Sequence, residues 1–530
     1  MALCFWETEM RLILFLTVMF LFFYSCENTE SGNPCKDNPC KNNAIANKTL
    51  CKTVGNGFIC DCQEGYREEN GICLKVKDDK CINFECPSNS TCKEINEKPL
   101  CICNEGYFLE ENKCIKSENK SFYKSWDNGL YYENSGNALC LDKDKNIIVA
   151  GYTAGKIVWS ESEQKEVPTY ADTMILKYNY DGKLLWKKFK HDDIYDNPIG
   201  VLTDDEGNIF VAGEKGNDEF SAFLTKYDSE GNKIWTKEWT CENGLLLWDL
   251  KKDDEGVFYL AGRTYSHFVN TSSMGGISDA FLIKVKDNGG SGKEIWLKQW
   301  GGEKMDEAKS ILTKGNKIYV LTEKNGDTDI DNGSIKWDFS VTEFDKNGNL
   351  LKENDFMKDL VDTYLVDFES DDEGNFYIIG DTPKNFNGLE NNGDNDIFIL
   401  KLKNDYSLLW SKLIGTQYYD TANTMVLNEE GGIFIGGHSY GSFDGFVNLG
   451  EGIESDAFIM EIDKNNGDIK RTKMFFGSDK LTGESVAKII MKNSDLIFTG
   501  VLDLNYIGDT QNIKSKGLLN KIIKKDYENY

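Results

Sequence analysis

The chain has 530 residues, with 88 acidic against 60 basic side chains and a formal charge of −28. Nucleic acids and other polyanions need a basic footprint, and the sequence offers none. The charge fits the solubility of a surface protein; attraction of cations or basic partners is the weaker alternative.

The chain opens with an apolar run, Leu12 to Tyr24, too short to cross a bilayer and suited to the core of a signal peptide. Residues 1–25 are therefore read as a signal peptide. Glu7 and Glu9 suit its charged head poorly, whereas a start at Met10-Arg11 supplies the expected positive charge. The run ends in Phe23-Tyr24-Ser25-Cys26, which resembles a bacterial lipoprotein signal and implies lipid on Cys26. Cleavage near Ser25 with plain secretion is the alternative. A thioether-linked anchor with an added N-acyl chain would hold the protein on a membrane. Residues 26–33 then form a linker.

Twelve of the 16 cysteines fall into two sets of six: 35, 40, 51, 60, 62, 73 and 81, 86, 92, 101, 103, 114. Segments as short as 34–75 and 80–116 bury too little apolar area to fold unaided, so bridges are expected, and these persist outside the reducing cytosol. Zinc is the rival reading; the lack of Cys-x-x-Cys pairs and of histidine here argues against it. Six cysteines by themselves leave the pairing open. Both sets end in Cys-x-Cys-x-x-Gly-Tyr (Cys60 to Tyr66, Cys101 to Tyr107) and resemble the EGF-like module. That resemblance implies Cys35–Cys51, Cys40–Cys60 and Cys62–Cys73, then Cys81–Cys92, Cys86–Cys101 and Cys103–Cys114. Both segments depart from the calcium-binding form of the module, for example at Thr53 and Pro99, so no calcium is expected. Cys4 belongs to the leader, while Cys140 and Cys241 are expected to remain free.

From Cys140 to Asn520 one pattern recurs seven times. Its first clause is Asn146-Ile-Ile-Val-Ala-Gly151, repeated with glycine at 213, 262, 380, 437 and 500 and with Thr322 standing in once. Its second is Asp172-Thr-Met-Ile-Leu-Lys177, repeated to Lys226, Lys284, Glu343, Lys401, Glu461 and Lys521. Each unit reads as four short strands, an inner run such as Ala138–Asp142 first and a tryptophan strand such as Leu184-Leu-Trp186 last. Turn chemistry such as Asp204-Asp-Glu-Gly-Asn208 separates them. Units of this kind cannot bury their apolar faces alone and must stack. The fold class expected is all-β: a seven-bladed propeller over 121–525 preceded by two small disulfide-rich modules. Phe122-Tyr-Lys-Ser-Trp126 looks like a fourth strand and the last unit lacks one, so the N-terminal strand should close the seventh blade.

These clauses, followed by Gly-x-Leu-Leu-Trp, resemble the SBBP family of seven-bladed propeller repeats, which occurs mainly in bacterial secreted and surface proteins. The likeness covers about residues 122–523, implies the fold, and carries no catalytic residues. The fourth unit departs most, with Thr322 at the glycine and Leu351 where tryptophan is expected.

Thirteen residues before each anchor stand Ala138, Gly200, Asp249, Lys309, Asp367, Thr424 and Ala487. Asp249, Lys309 and Asp367 should converge near the channel, either as a salt-bridged lining or as a site for a polar ligand or cation. A register error of one residue would turn them away. Trp186, Trp235, Trp296 and Trp410 share one strand position and read as blade packing. The repeated acid five residues before the Lys or Glu reads as a turn cap or cross-strand pair. The acidic tracts at Asp204, Asp253 and Asp371 read as hairpin turns, because they lack the ligand set of a calcium loop. His191, His267 and His438 fall at different registers, with His438 read as loop-facing. No metal or cofactor site is expected.

The function expected is a non-enzymatic binding or adhesion scaffold of the cell envelope, a monomer with a protein or glycan partner and membrane contact through lipid alone. A propeller enzyme acting on a carbohydrate or other small polar substrate at the channel is the alternative. Asp249 and Asp367 are then the only acid pair to nominate.

Overall fold

Seven four-stranded antiparallel sheets follow one another in a computed structural model of the chain, each corresponding to one repeat of the sequence. The structure describes residues 50–54, 57–62, 66–69, 72–75, 81, 86, 88, 90–95, 98–103, 107–110, 113–116, 122–126, 133–154, 157–160, 165–168, 171–190, 194–217, 219–268, 275–328, 333–428, 432–443, 448, 452, 454–492, 494–506 and 513–522, save 476–481 and 493. The leader, Cys26, Cys35, Cys40 and His191 lie outside them.

Two compact units are present, an N-terminal one bearing the disulfides and a propeller. In the first, Leu50–Val54 pairs with Gly57–Asp61 and Tyr66–Glu69 with Ile72–Lys75. Cys81–Cys92 and Cys86–Cys101 are bonded as the EGF-like resemblance implies. Cys51, Cys60 and Cys62 are also disulfide-bonded. The remaining predicted pairings involve side chains outside the described residues. A bridge that closes so short a loop removes about 3 kcal/mol of unfolded-chain entropy, which a hairpin pair cannot supply by burial.

In the propeller, the inner strands of blades 1 to 7 are Glu133–Leu141, Asp196–Thr203, Leu245–Lys252, Met305–Lys314, Tyr364–Ser370, Asp420–Leu427 and Thr482–Lys492. Blade 1 also carries a small hairpin, Ile157–Ser160 with Lys165–Pro168, that the repeat did not announce. Second and third strands such as Phe376–Thr382 and Asp396–Leu402 are buried throughout their length. Neighbouring blades cover both of their faces, so they read as continuous apolar runs rather than alternating ones. The ring closes through Phe122–Trp126, which pairs with Ile513–Ile522. Phe122 sits opposite Lys521 as Trp186 sits opposite Lys177, so phenylalanine takes the tryptophan position in the closing strand.

The conserved wording of the repeat has physical causes. Every inner strand carries a bulge, and in the six blades with a glycine anchor the carbonyl two residues before the bulged one presses on that glycine. A Cβ on Gly151, Gly262 or Gly437 would lie 1.9 Å from the carbonyl oxygen of Ser135, Leu246 or Thr421. Gly262→Ala should therefore cost about 3 kcal/mol, while Gly290→Ala, with nothing near its Cβ, should be close to neutral. Urea midpoints of the two variants check this; equal midpoints would contradict it.

The second clause fastens blades together. The ammonium groups of Lys177, Lys284, Lys401 and Lys521 donate to Ser229, Lys346, Lys464 and Tyr180 carbonyls in the next blade's hairpin. Blade 4 reverses the polarity, Tyr406 donating its hydroxyl to Glu343 at 2.7 Å. Trp186 and Trp296 donate their indole N–H to the same hairpins, at Ser229 and Lys346, and Trp235 donates to Asp287. The expected packing role of these tryptophans is thus the one observed. The acidic hairpins are turns: Asp204 Oδ1 accepts Asn208 N–H at 2.8 Å and Asp371 Oδ1 accepts Asn375 N–H at 2.9 Å. Asp396 is a turn cap, accepting Asn392 N–H. Cys140 and Cys241 are free thiols.

Candidate functional site

The bulges decide what lines the axis. The bulged residues are Asn137, Ile199, Trp248, Lys309, Val366, Asn423 and Ala487, and all seven are half-buried. The residues just beyond them are Ala138, Gly200, Asp249, Ser310, Asp367, Thr424 and Lys488. Counting back from the glycines therefore identified five positions of the second ring and missed two. Leu141 pairs with Ile147, six residues on, whereas Thr313 pairs with Ile318 and Met491 with Leu496, five on. The inner hairpins of blades 4 and 7 are one residue shorter, which moves Lys309 and Ala487 into the bulge.

Asp249 and Asp367 do converge, but through Ser310 rather than Lys309. Ser310 Oγ lies 3.0 Å from Asp249 Oδ2 and 3.1 Å from Asp367 Oδ1, and its single proton serves one carboxylate at a time. The acids also accept backbone N–H groups of the adjoining blades: Ile311 to Asp249 at 2.8 Å, Met425 to Asp367 at 3.3 Å. Lys488 Nζ stands 3.4 Å from Asp367 and Lys251 Nζ 3.8 Å from Asp249. Burial disfavours the Asp367 carboxylate, yet Lys488 and Lys251 more than offset it and hold the group below its ordinary range. Glu369 nearby is pushed up by burial, partly opposed by Lys251. With their oxygens engaged this way, the two acids act as an inter-blade belt.

Lys309 belongs to a different layer. Its Nζ is 3.5 Å from Glu307 Oε2 and 3.9 Å from Glu323 Oε2, and 4.2 Å from the centre of the Trp248 ring. Arg263 pairs with the same Glu307 and lies over the Trp248 and Tyr265 rings. This layer comes from the residue immediately after each anchor: Tyr152, Glu214, Arg263, Glu323, Asp381, His438 and Val501. Five of the seven are acids, arginine or histidine. Each acid in it reaches the next blade: Glu214 accepts Leu247 N–H at 2.7 Å, Glu323 accepts Leu365 N–H, and Asp381 accepts Ala422 N–H at 3.0 Å. His438 lies within a strand, not in a loop; its Nδ1 is 3.3 Å from Ser485 Oγ, and its ring meets Tyr440 edge-on. Asn423 donates to Ser485 Oγ and Val486 O as Asn137 donates to Asn197 Oδ1 and Pro198 O, so the Ser485 contact repeats a blade fastener. His267 is exposed and stands apart.

Burial dominates the titration of this layer. Glu214 is pushed up to about 7, against the pull of Leu247 N–H and Arg263, and Asp381 up to about 8. Glu323 is raised by burial, opposed by Lys309. His438 is pushed down to about 4 by burial, so its imidazole is neutral near pH 7. The folded protein therefore holds the Asp381 proton more tightly than the unfolded chain, and stability falls as pH rises from near 3.8 to about 8. Asp381→Asn keeps an acceptor for Ala422 and removes that slope. Its melting temperature should fall less than the parent's between pH 5 and pH 8, with the gap widest at the alkaline end; parallel curves would refute the assignment.

Several polar atoms of the layer are buried without a hydrogen-bond partner: Glu323 Oε2, which has only the Lys309 ammonium at 3.9 Å, and Arg263 Nε, Trp248 Nε1 and Thr421 Oγ1. Tyr364 and Tyr419 are exposed beside them, and Tyr419 meets Tyr440 at 6.3 Å. The pKa of Tyr364 is raised, first by burial and then by acids that include Glu323 and Glu307. Among the described residues no group of three metal-ligating side chains occurs. A cavity of about 320 Å³ lies elsewhere, between Lys124–Trp126 and blade 1 at Met174 to Phe189; its polar lining is lysine, serine and tyrosine.

Residues 35–70 match the EGF-like domain family. Over 180 residues, 29% of this chain, the sequence is 26% identical to the regulatory protein FlaEY of Caulobacter vibrioides. That alignment spans 18% of FlaEY. Among solved structures, a polysaccharide lyase of family PL25, an ulvan lyase, is similar over 74% of this chain and 95% of its own, at 13% identity and a TM-score of 0.46. The quinohemoprotein alcohol dehydrogenase of Comamonas testosteroni is similar over 77% and 76%, at 10% identity and a TM-score of 0.40. Likenesses at this level concern the fold and say nothing of activity. The EGF-like match and the disulfides point to an extracellular location.

Proposed function

We propose that the chain is a non-enzymatic binding or adhesion protein of the bacterial cell envelope, an SBBP-type propeller preceded by EGF-like modules and tethered by lipid on Cys26. The binding surface is the axial mouth formed by blades 3 to 6, and the protein acts as a monomer. The observation that carries this reading is the set of buried polar atoms without a hydrogen bond at Trp248, Arg263, Glu323 and Thr421, next to exposed tyrosines. Buried donors and acceptors are normally satisfied, and a ligand that pairs with them recovers their desolvation. Asp249 and Asp367, the acid pair an enzyme would use, are engaged with backbone amides and lysines, which favours binding over catalysis.

The test is capture from an envelope extract on the immobilised mature chain, starting at Glu27, and on the same chain carrying Glu323→Gln with Tyr419→Ala. An envelope component, protein or glycan, should be retained by the parent and lost from the variant. Equal retention by both, or none by either, would overturn the reading. Chemical conversion of the captured component would instead make the protein an enzyme.

A further inference from the structure

Resting on that reading, we infer that the mouth takes a neutral carbohydrate, with pyranose faces against the tyrosine wall and hydroxyls on the polar atoms around Trp248 and Glu323. The wall is Tyr364, Tyr419 and Tyr440, on blades 5 and 6. The first two are 38% and 47% exposed, and Tyr440 meets Tyr419 edge-on. Many aromatic side chains in the blades serve packing instead; Tyr377, Phe398 and Phe458 are fully buried. Exposed tyrosine rings beside a polar layer offer apolar faces and polar edges together, which is the composition of a sugar ring's own surface.

The polar layer points to the charge of the ligand. Arg263 pairs with Glu307, and Lys309 lies between Glu307 and Glu323, so the cations face acids of this chain. An anionic ligand would have to displace Glu307 and Glu323, and a cationic one would face Arg263 and Lys309. What remains without a hydrogen bond is mixed. Trp248 Nε1 and Arg263 Nε are donors, Glu323 Oε2 is an acceptor while ionised, and Thr421 Oγ1 is both. A hydroxyl also donates and accepts, so a polyol satisfies such a set where a single charge cannot. Glu323 is completely buried and Trp248 half-buried, so these bonds would form out of bulk water, where each counts for more.

The experiment is to screen the mature full chain on an array of neutral glycans and of uronate-containing and sulfated ones, followed by calorimetric titration of the strongest binder. Binding should be confined to neutral glycans and should persist in about 0.5 M salt, where exposed charge attraction is screened. Tyr419→Ala, at a side chain 47% exposed, should weaken it roughly tenfold or more, and Glu323→Gln should change it as well. Preference for the acidic glycans, insensitivity to Tyr419→Ala, or silence across the array would each overturn the inference. If the array is silent while the extract test still shows mouth-dependent capture, the binding reading stands and the carbohydrate assignment falls.

Discussion

Deleting Phe122–Trp126 from the full chain should destabilise the propeller by about 5 kcal/mol. The segment pairs with Gly517 to Lys521 and is the fourth strand of blade 7. Its removal forfeits a ladder of backbone bonds worth about 1 kcal/mol each, together with the packing of half-buried Trp126 against the core that includes Leu139, Val149 and Leu519. It also uncovers an unpaired strand edge, and such edges recruit other chains. Urea denaturation should show a midpoint well below the parent's, and light scattering on partial unfolding should rise. A midpoint within error of the parent would mean that the ring does not depend on this closure. The matching cut at the other end, within Ile513–Ile522, should be at least as damaging because that strand pairs on both sides.

Asp367→Ala should cost about 3–5 kcal/mol, the range for removing one partner of a buried charged network. The carboxylate accepts N–H bonds from Phe368 and Met425, lies within reach of Ser310 Oγ and faces Lys488 at 3.4 Å. Its loss leaves those donors unsatisfied and strands the lysine charge near the axis. Because the folded carboxyl titrates below its ordinary value of 3.8, it adds stability that is present above that value and is lost as pH falls through the lower folded one. The variant should therefore lose less stability than the parent on acidification below about pH 4. Asp367→Asn, which keeps an acceptor but not the charge, should fall between the two. Equilibrium denaturation at pH 7 and pH 3 measures both effects; a loss under about 1 kcal/mol at pH 7 would remove Asp367 from the inter-blade belt.

Neither effect concerns a reacting group, and that bears on how the chain works. The acids first nominated from the sequence hold blades 3 to 7 together, while the side chains with atoms lacking a hydrogen bond sit in a different layer. A ring held rigid by its own charged belt can present a fixed constellation without a moving lid, and preorganisation of that kind limits the entropy lost on binding.

The sequence by itself determined the number of blades, the strand order within each, the closing strand and the hairpin turns. The Cys81–Cys92 and Cys86–Cys101 bridges followed from the resemblance to the EGF-like module, since the cysteines alone left the pairing open. These are local properties: alternation of apolar runs with Asp, Asn and Gly turns, and cysteines at fixed intervals, are written in neighbouring residues. The layer proposed to bind ligand was not legible in the same way, although its signal was present, since acids, arginine and histidine follow the anchor directly at Glu214, Arg263, Glu323, Asp381 and His438. What the tertiary structure decided was which of them meet and where they face. A one-residue bulge reverses the side chains that follow it, and one residue fewer in a hairpin exchanges Lys309 for Ser310 beside Asp249 and Asp367. Lys309 and Glu323 come from paired strands of blade 4 and Trp248 from blade 3, so strand pairing and the stacking of adjacent blades bring them together.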